Sequence, residues 1–254
     1  MAKDNTAALV SLCLGLGDDT LILGHRLSEW SSRAPTLEED IALSNLALDL
    51  LGQARFFLSL AGELEGKGRD EDRLAYFRDD SAFRNVQIVE LPNGDFAQTI
   101  ARHLFVSAFL HPYYAAMTRS SDARLQGLAG KAVKEMTYHL RHAREWTIRL
   151  GDGTEESHRR MVQGIDYLWG YTGELFEMSA DEALLVKAGI APDRAAIRPI
   201  WQATIEATLK AATLKMPGAR GMQTGGRQGI HTEYLSKLLA EMQVLARAHE
   251  GATW

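Results

Sequence analysis

Apolar positions along this chain recur at alternating steps of three and four, and strict apolar/polar alternation is sustained nowhere, so the pattern predicts helices and no half-buried strands. Leu43, Ala47, Leu50, Ala54, Phe57, Ala61 and Leu64 form one such seam. Thr36 can cap its first turn and Glu39 can reach back to complete a capping box, while Gly66 and Gly68 end it. A second stripe, Leu46, Asp49, Gln53, Phe56 and Leu60, lies beside the first. The buried face is therefore wide, as in a multi-helix bundle and not a two-stranded coiled coil. The seam pattern returns over about 121–150 with Leu125, Ala129, Ala132, Met136, His139, Ala143, Trp146 and Leu150.

Between these two helices a third is expected over about 95–119, introduced by the turn Pro92-Asn93-Gly94-Asp95 and bent at Pro112, which removes a backbone donor. Residues 18–31 supply the helix before the capping box. The apolar stretch Ala7 to Gly17 reads as an ordinary first helix, too short to span a bilayer. Four helices over about 18–150, with an accessory helix near 71–84 on the long link, fit an up-down ferritin-like bundle with one crossover. Accessory helices are expected at about 155–178, 181–188, 199–214 and 232–249, completing one all-α domain over 1–254. The Gly-rich segment 216–229, with Arg220 and Arg227, reads as a flexible contact arm.

Composition narrows the partners. With 28 Lys+Arg against 33 Asp+Glu the net charge is -5, and no basic run offers the stripe that phosphate neutralisation needs, so nucleic acid is not expected. Neither is a membrane. The lone Cys13 excludes a disulfide framework within the chain and any cysteine-rich metal site, which fits a reducing cytoplasm. No nucleophile elbow or Walker loop occurs. The segment Gly225-Gly226-Arg227-Gln228-Gly229 is glycine-rich, but without a preceding strand it reads as an interface loop, a docking surface around Gly225, Gly226, Arg227 and Gly229. The tryptophans fall within helical segments and read as packing residues.

A ferritin-like plan can be tested for a di-iron carboxylate site, which takes one Glu from each of two helices and a Glu-x-x-His pair from each of the other two. That spacing stacks carboxylate and imidazole one turn apart on one face. The chain holds a single Glu-x-x-His, Glu155 to His158, outside the four bundle helices. Where the motif belongs stand Asp49-Leu50-Leu51-Gly52 and Glu135-Met136-Thr137-Tyr138. His139 is one residue late, about 100° around the helix. The ligand inventory fails. Asp49, Gln53, Glu135 and His139, with His25, Arg26 or Glu29 and Arg102 or His103, read instead as a structural polar network inside the bundle.

Several segments, in order along nearly the whole chain, carry a resemblance. They are Gly17-Asp18-Asp19, Arg26-Leu27-Ser28-Glu29-Trp30, the run from Ala47 to Arg55, the run from Pro92 to Arg102, the run from Lys134 to Arg141, the run from Gly225 to Glu233, and Glu241-Met242-Gln243. In these the chain resembles the family of ferritin-like C subunits of the bacterial phenylacetyl-CoA ring 1,2-epoxidase. The resemblance implies a non-catalytic structural subunit of a monooxygenase complex in phenylacetate catabolism. It implies no cofactor bound by this subunit. The di-iron centre would be held by the related catalytic subunit, with a small assembly subunit and a reductase subunit as further partners. It also implies contact with phenylacetyl-CoA, carried over to Ala82, Phe83, Arg84 and Asn85 and to Ala183, Leu184 and Leu185. A rival reading is a stand-alone iron-carboxylate oxidase using Glu135, His139, Asp49 and His25 in an atypical ligand set; a lone acyl-CoA-binding module would need a basic pocket for which no cluster can be named.

Overall fold

In the computed structural model the protein is all-α: 73% of it is helical. The structure describes residues 2–252, and among these there is no strand. Its helices are α1 (Ala2–Ser28), α2 (Leu37–Glu65), α3 (Glu71–Tyr76), α4 (Gln87–Glu90), α5 (Phe96–Met117), α6 (Ala123–Gly151), α7 (Glu155–Trp169), α8 (Ala180–Lys187), α9 (Arg194–Ala211) and α10 (Glu233–Ala248). Short 3-10 turns at Asp80–Ala82, Gly173–Phe176 and Gly226–Gln228 complete the set.

The described residues group into two compact units. The first combines the chain up to Ser31 with Ile41–Pro92 and the residues from Thr224 on; the second combines Ser32–Asp40 with Asn93–Gln223. In the first, Gly24 of α1 sits against Ala47 and Leu51 of α2, and α10 packs on α3 and α4. In the second, the long pair α5 and α6 packs together and carries α7 and α9. The helix pairs expected to make up the bundle are thus α1 with α2 and α5 with α6.

The local signals explain most boundaries. Asp95, Asp122 and Asp193 cap α5, α6 and α9 by accepting backbone N–H groups, and Thr154 with Ser157 builds a full capping box on α7. At α2 only half of the expected box forms. Thr36 accepts the Glu39 N–H at 3.3 Å, but the Glu39 carboxylate turns away to His142. The stretch Ala7 to Gly17 is not a separate helix: it runs on into α1 with no break before Ser28. That lengthens it beyond the short segment expected, and the structure has two helical spans, Asn5–Ser28 and Leu37–Glu65, long and apolar enough to cross a membrane. The α1 window is 78% buried in the folded protein, as a core helix is.

Three other expectations shift. The accessory helix at 71–84 ends at Tyr76, where the chain gives way to a 3-10 turn at Asp80–Ala82. The helix expected over 155–178 stops at Trp169 before Gly170 and resumes as a 3-10 turn. α9 begins at Arg194, so Pro199 lies inside the helix and not at its start. Its first turn is anchored because the buried Arg194 side chain donates to Glu182 at 2.5 Å and to the Leu175 carbonyl at 3.0 Å.

Candidate functional site

The interior of the second unit holds a histidine cluster where α5 meets α6. His103 and His139 are both buried, their ring centroids 5.2 Å apart. One turn beyond His139, His142 pairs through Nε2 with Glu39 Oε2 at 2.8 Å. Neither ring nitrogen of His103 has a hydrogen-bond partner. Burial holds the His103 pKa well below the ordinary histidine value, helped by the nearby His139, His142 and Arg102 charges. The ring is neutral at physiological pH.

Of the four residues expected to form a polar network, the first unit holds Asp49 and the buried Gln53 on α2, and the second holds Glu135 and the buried His139 on α6. None of the four is without a partner. Glu135 carries an ion pair with Lys131 one turn earlier, at 3.3 Å.

These residues do not fit a di-iron centre. The two positions where histidine is required are Gly52, which is solvent-facing with open space around it, and the partly exposed Tyr138. The guanidinium of the buried Arg102 acts electrostatically on His103, which disfavours a dication at that place. Among the described residues, no group of three or more His, Cys, Asp or Glu could hold a metal ion. Glu155 and His158 stand in the first turn of α7, outside the α1, α2, α5 and α6 pairs, where the His158 Nδ1 is 2.6 Å from the Gly151 carbonyl at the end of α6.

The first unit contains a second polar constellation, built on two adjacent acids in the middle of α1. Asp18 is fully buried, pairs with Arg78 through both carboxylate oxygens and accepts the Arg84 N–H at 2.8 Å. Asp19 accepts the Val86 N–H at 2.8 Å and binds Arg227 at 2.6 Å. Below them Glu90, also fully buried, accepts from Asn85 at 3.0 Å and from the Thr232 N–H at 2.6 Å, and faces His231 Nδ1 at 2.9 Å. Three buried carboxylates are thus matched by three basic side chains. Burial opposes charge on His231, but the Glu90 hydrogen bond and charge, the Phe83 carbonyl and Asp18 outweigh it, and its pKa is raised.

This constellation fixes segments that the resemblance assigns to substrate contact or docking. Phe83 and Asn85 are buried, so their side chains face inward, while Ala82 and Arg84 lie closer to the surface. The Arg84 guanidinium donates to the Ser81 and Phe83 carbonyls. In the second unit, Leu185 of α8 is buried, Ala183 is half-buried and Leu184 is 42% exposed. The run from Gly225 to Gly229 is not the flexible arm that its glycines imply. Gly225 and Gly226 are buried, Arg227 is clamped by Asp19 and by the Arg84 carbonyl at 2.7 Å, and Gly229 takes a left-handed φ of 82° against the Ser81 carbonyl. A Cβ at Gly229 would run into that carbonyl, so glycine serves close packing here and not mobility.

Nothing in the sequence singles out Asp18, Asp19, Arg78 or His231 as members of a site. Glu90 does leave one signal. It is a lone carboxylate in the apolar run Val86-Gln87-Ile88-Val89-Glu90-Leu91, and such a position demands a buried partner.

The sequence has relatives. The family model for phenylacetic acid catabolic proteins matches residues 1–254. The chain belongs to that family. The C subunit of the 1,2-phenylacetyl-CoA epoxidase of Escherichia coli (strain K12) is 47% identical to it over 246 residues, 97% of this chain and 99% of the relative. The name of that relative makes it one subunit among several of an enzyme complex.

Proposed function

We propose that this phenylacetic acid catabolic protein is the non-catalytic scaffold subunit of a multicomponent monooxygenase that epoxidises the aromatic ring of phenylacetyl-CoA. It binds no metal or other cofactor itself and stabilises a catalytic di-iron subunit, working with a small assembly subunit and a reductase in the cytoplasm. The observation that carries this reading is that α2 and α6 carry Gly52 and Tyr138 where a di-iron site needs its ligand histidines, in a chain 47% identical to the C subunit of an epoxidase.

The outer face of α2 supports an assembly role. Ile41 and Leu48, seven residues apart on one face, are 55% and 65% exposed, with the bare Gly52 one turn further on. An exposed apolar stripe with helix-packing spacing is what an obligate interface offers. Substrate contact at Ala82–Asn85 and at Ala183–Leu185 is part of the same proposal. With Phe83, Asn85 and Leu185 turned inward, it would be made by Arg84, by Leu184 and by the backbone.

The test is metal analysis by mass spectrometry on the purified chain alone and on the chain co-expressed with the iron-bearing subunit. Iron present only in a stable pair is expected. About two irons per lone chain would overturn the reading in favour of an iron-carboxylate oxidase with an atypical ligand set.

A further inference from the structure

Within the second unit, Trp169 and Trp201, whose helical placement favours packing over ligand stacking, leave a space between them and the linker that follows α9. Trp169 and Trp201 stack with ring centroids 5.8 Å apart, and Phe176 meets Trp201 edge-on at 5.3 Å. Together with Met216 and Met222 they line a partly enclosed cleft of about 150 Å³. The polar side chains of Thr172 and Gln202 complete the lining, and a cavity of that size accommodates one benzene-sized ring against its aromatic wall. Trp201 spends its indole N–H on the Phe105 carbonyl at 2.8 Å, so the aromatic wall is held in place by the core.

The other wall is adaptable. Methionine is flexible and polarizable and packs well against aromatic rings. Met222 is seated by Gly173, where a Cβ would come within 2.8 Å of its Cγ. At the rim stands Arg198 of α9, exposed and resting over the Phe176 ring at 5.3 Å. Among the described residues it has no carboxylate partner and no hydrogen bond, whereas most arginines of the chain are paired.

We propose that this cleft binds a small aromatic carboxylate, with the ring between the Trp169–Phe176 wall and the methionines and the carboxylate on Arg198. Guanidinium and carboxylate match in shape as well as charge, and the ring faces supply stacking. This assignment concerns a ligand site on this chain and stands whether or not the chain is a scaffold subunit.

The test uses the full chain and its tryptophan emission, followed by titration calorimetry, with phenylacetate, 3-phenylpropanoate, acetate and benzyl alcohol as probes. Both aryl carboxylates are expected to perturb the emission saturably with Kd about 1 mM or tighter, and acetate is not. Arg198→Gln is solvent-facing and should leave the helical content intact. It is expected to weaken phenylacetate at least about tenfold while leaving benzyl alcohol unchanged. Phenylacetate binding that is insensitive to R198Q, acetate binding as well as phenylacetate, or no saturable response up to about 10 mM would each overturn the proposal.

Discussion

The carboxylate of Glu39 lies 2.8 Å from Nε2 of His142, joining the first turn of α2 to α6. Both side chains are largely buried, 12% and 8% exposed. A buried partner left alone bears its full desolvation cost. Glu39→Ala should therefore lower stability by about 1–3 kcal/mol, and Glu39→Gln, which keeps an acceptor, by less. Urea unfolding of the two variants decides it; an effect of E39A no larger than that of an ordinary surface substitution would mean the pair does not form in solution.

His231 gives the first unit a pH dependence of known sign. Its folded pKa is raised, so its contribution is complete below the unfolded value of about 6.5 and disappears as pH rises through the folded value. Comparing melting temperatures of the native chain and His231→Gln across pH should show the largest difference at the acid side, shrinking to a pH-independent remainder on the alkaline side. A difference that grows with pH contradicts the Glu90–His231 pairing.

What the sequence discloses and what it hides follow from the range of the interactions involved. The seams of α2 and α6 are legible because helix periodicity is local: Leu43, Leu50, Phe57, Leu125, Ala132 and Met136 are buried as their spacing predicts. The absence of ligand histidines at positions 52 and 138 is equally legible, since it is an inventory. The Asp18–Arg78 and Asp19–Arg227 pairs are not, because their partners stand 60 and 208 residues apart and no local pattern marks them. The Gly-rich loop shows the same limit. Glycines at 225–229 suggest freedom, whereas Gly229 is required because the backbone passes so near Ser81.

His103 predicts acid sensitivity in the second unit. Its folded pKa is lowered by burial, so above about 6.5 both folded and unfolded states are neutral at this ring. Below that pH the unfolded chain takes up a proton that the native interior refuses, and stability falls as pH drops toward the folded value. His103→Leu, close in volume and never charged, should flatten the loss that sets in below about pH 6.5, measured by urea unfolding. An unchanged slope would show that other groups carry the acid sensitivity.

The Asp19–Arg227 clamp predicts how the Gly-rich loop behaves when it is cut loose. Arg227 is mostly buried, and its Nη2 lies 2.6 Å from an Asp19 carboxylate that is itself 5% exposed. Removing the arginine leaves that carboxylate in the interior without its guanidinium, a change that in buried pairs costs about 3 kcal/mol or more. Arg227→Met should destabilise the first unit by that order and open the chain to limited proteolysis between Met216 and Gln228. Asp19→Asn in the same chain should restore part of the stability, because the uncompensated charge is gone. Were the loop a free docking arm, R227M would leave urea stability and the cleavage pattern unchanged, and only binding to a partner subunit would suffer. Deleting Thr224 to Gln228 cannot separate these cases, since it removes the clamp and the surface together. The point substitutions separate them because methionine in place of Arg227 keeps the loop's length and most of the side-chain volume while abolishing the charge.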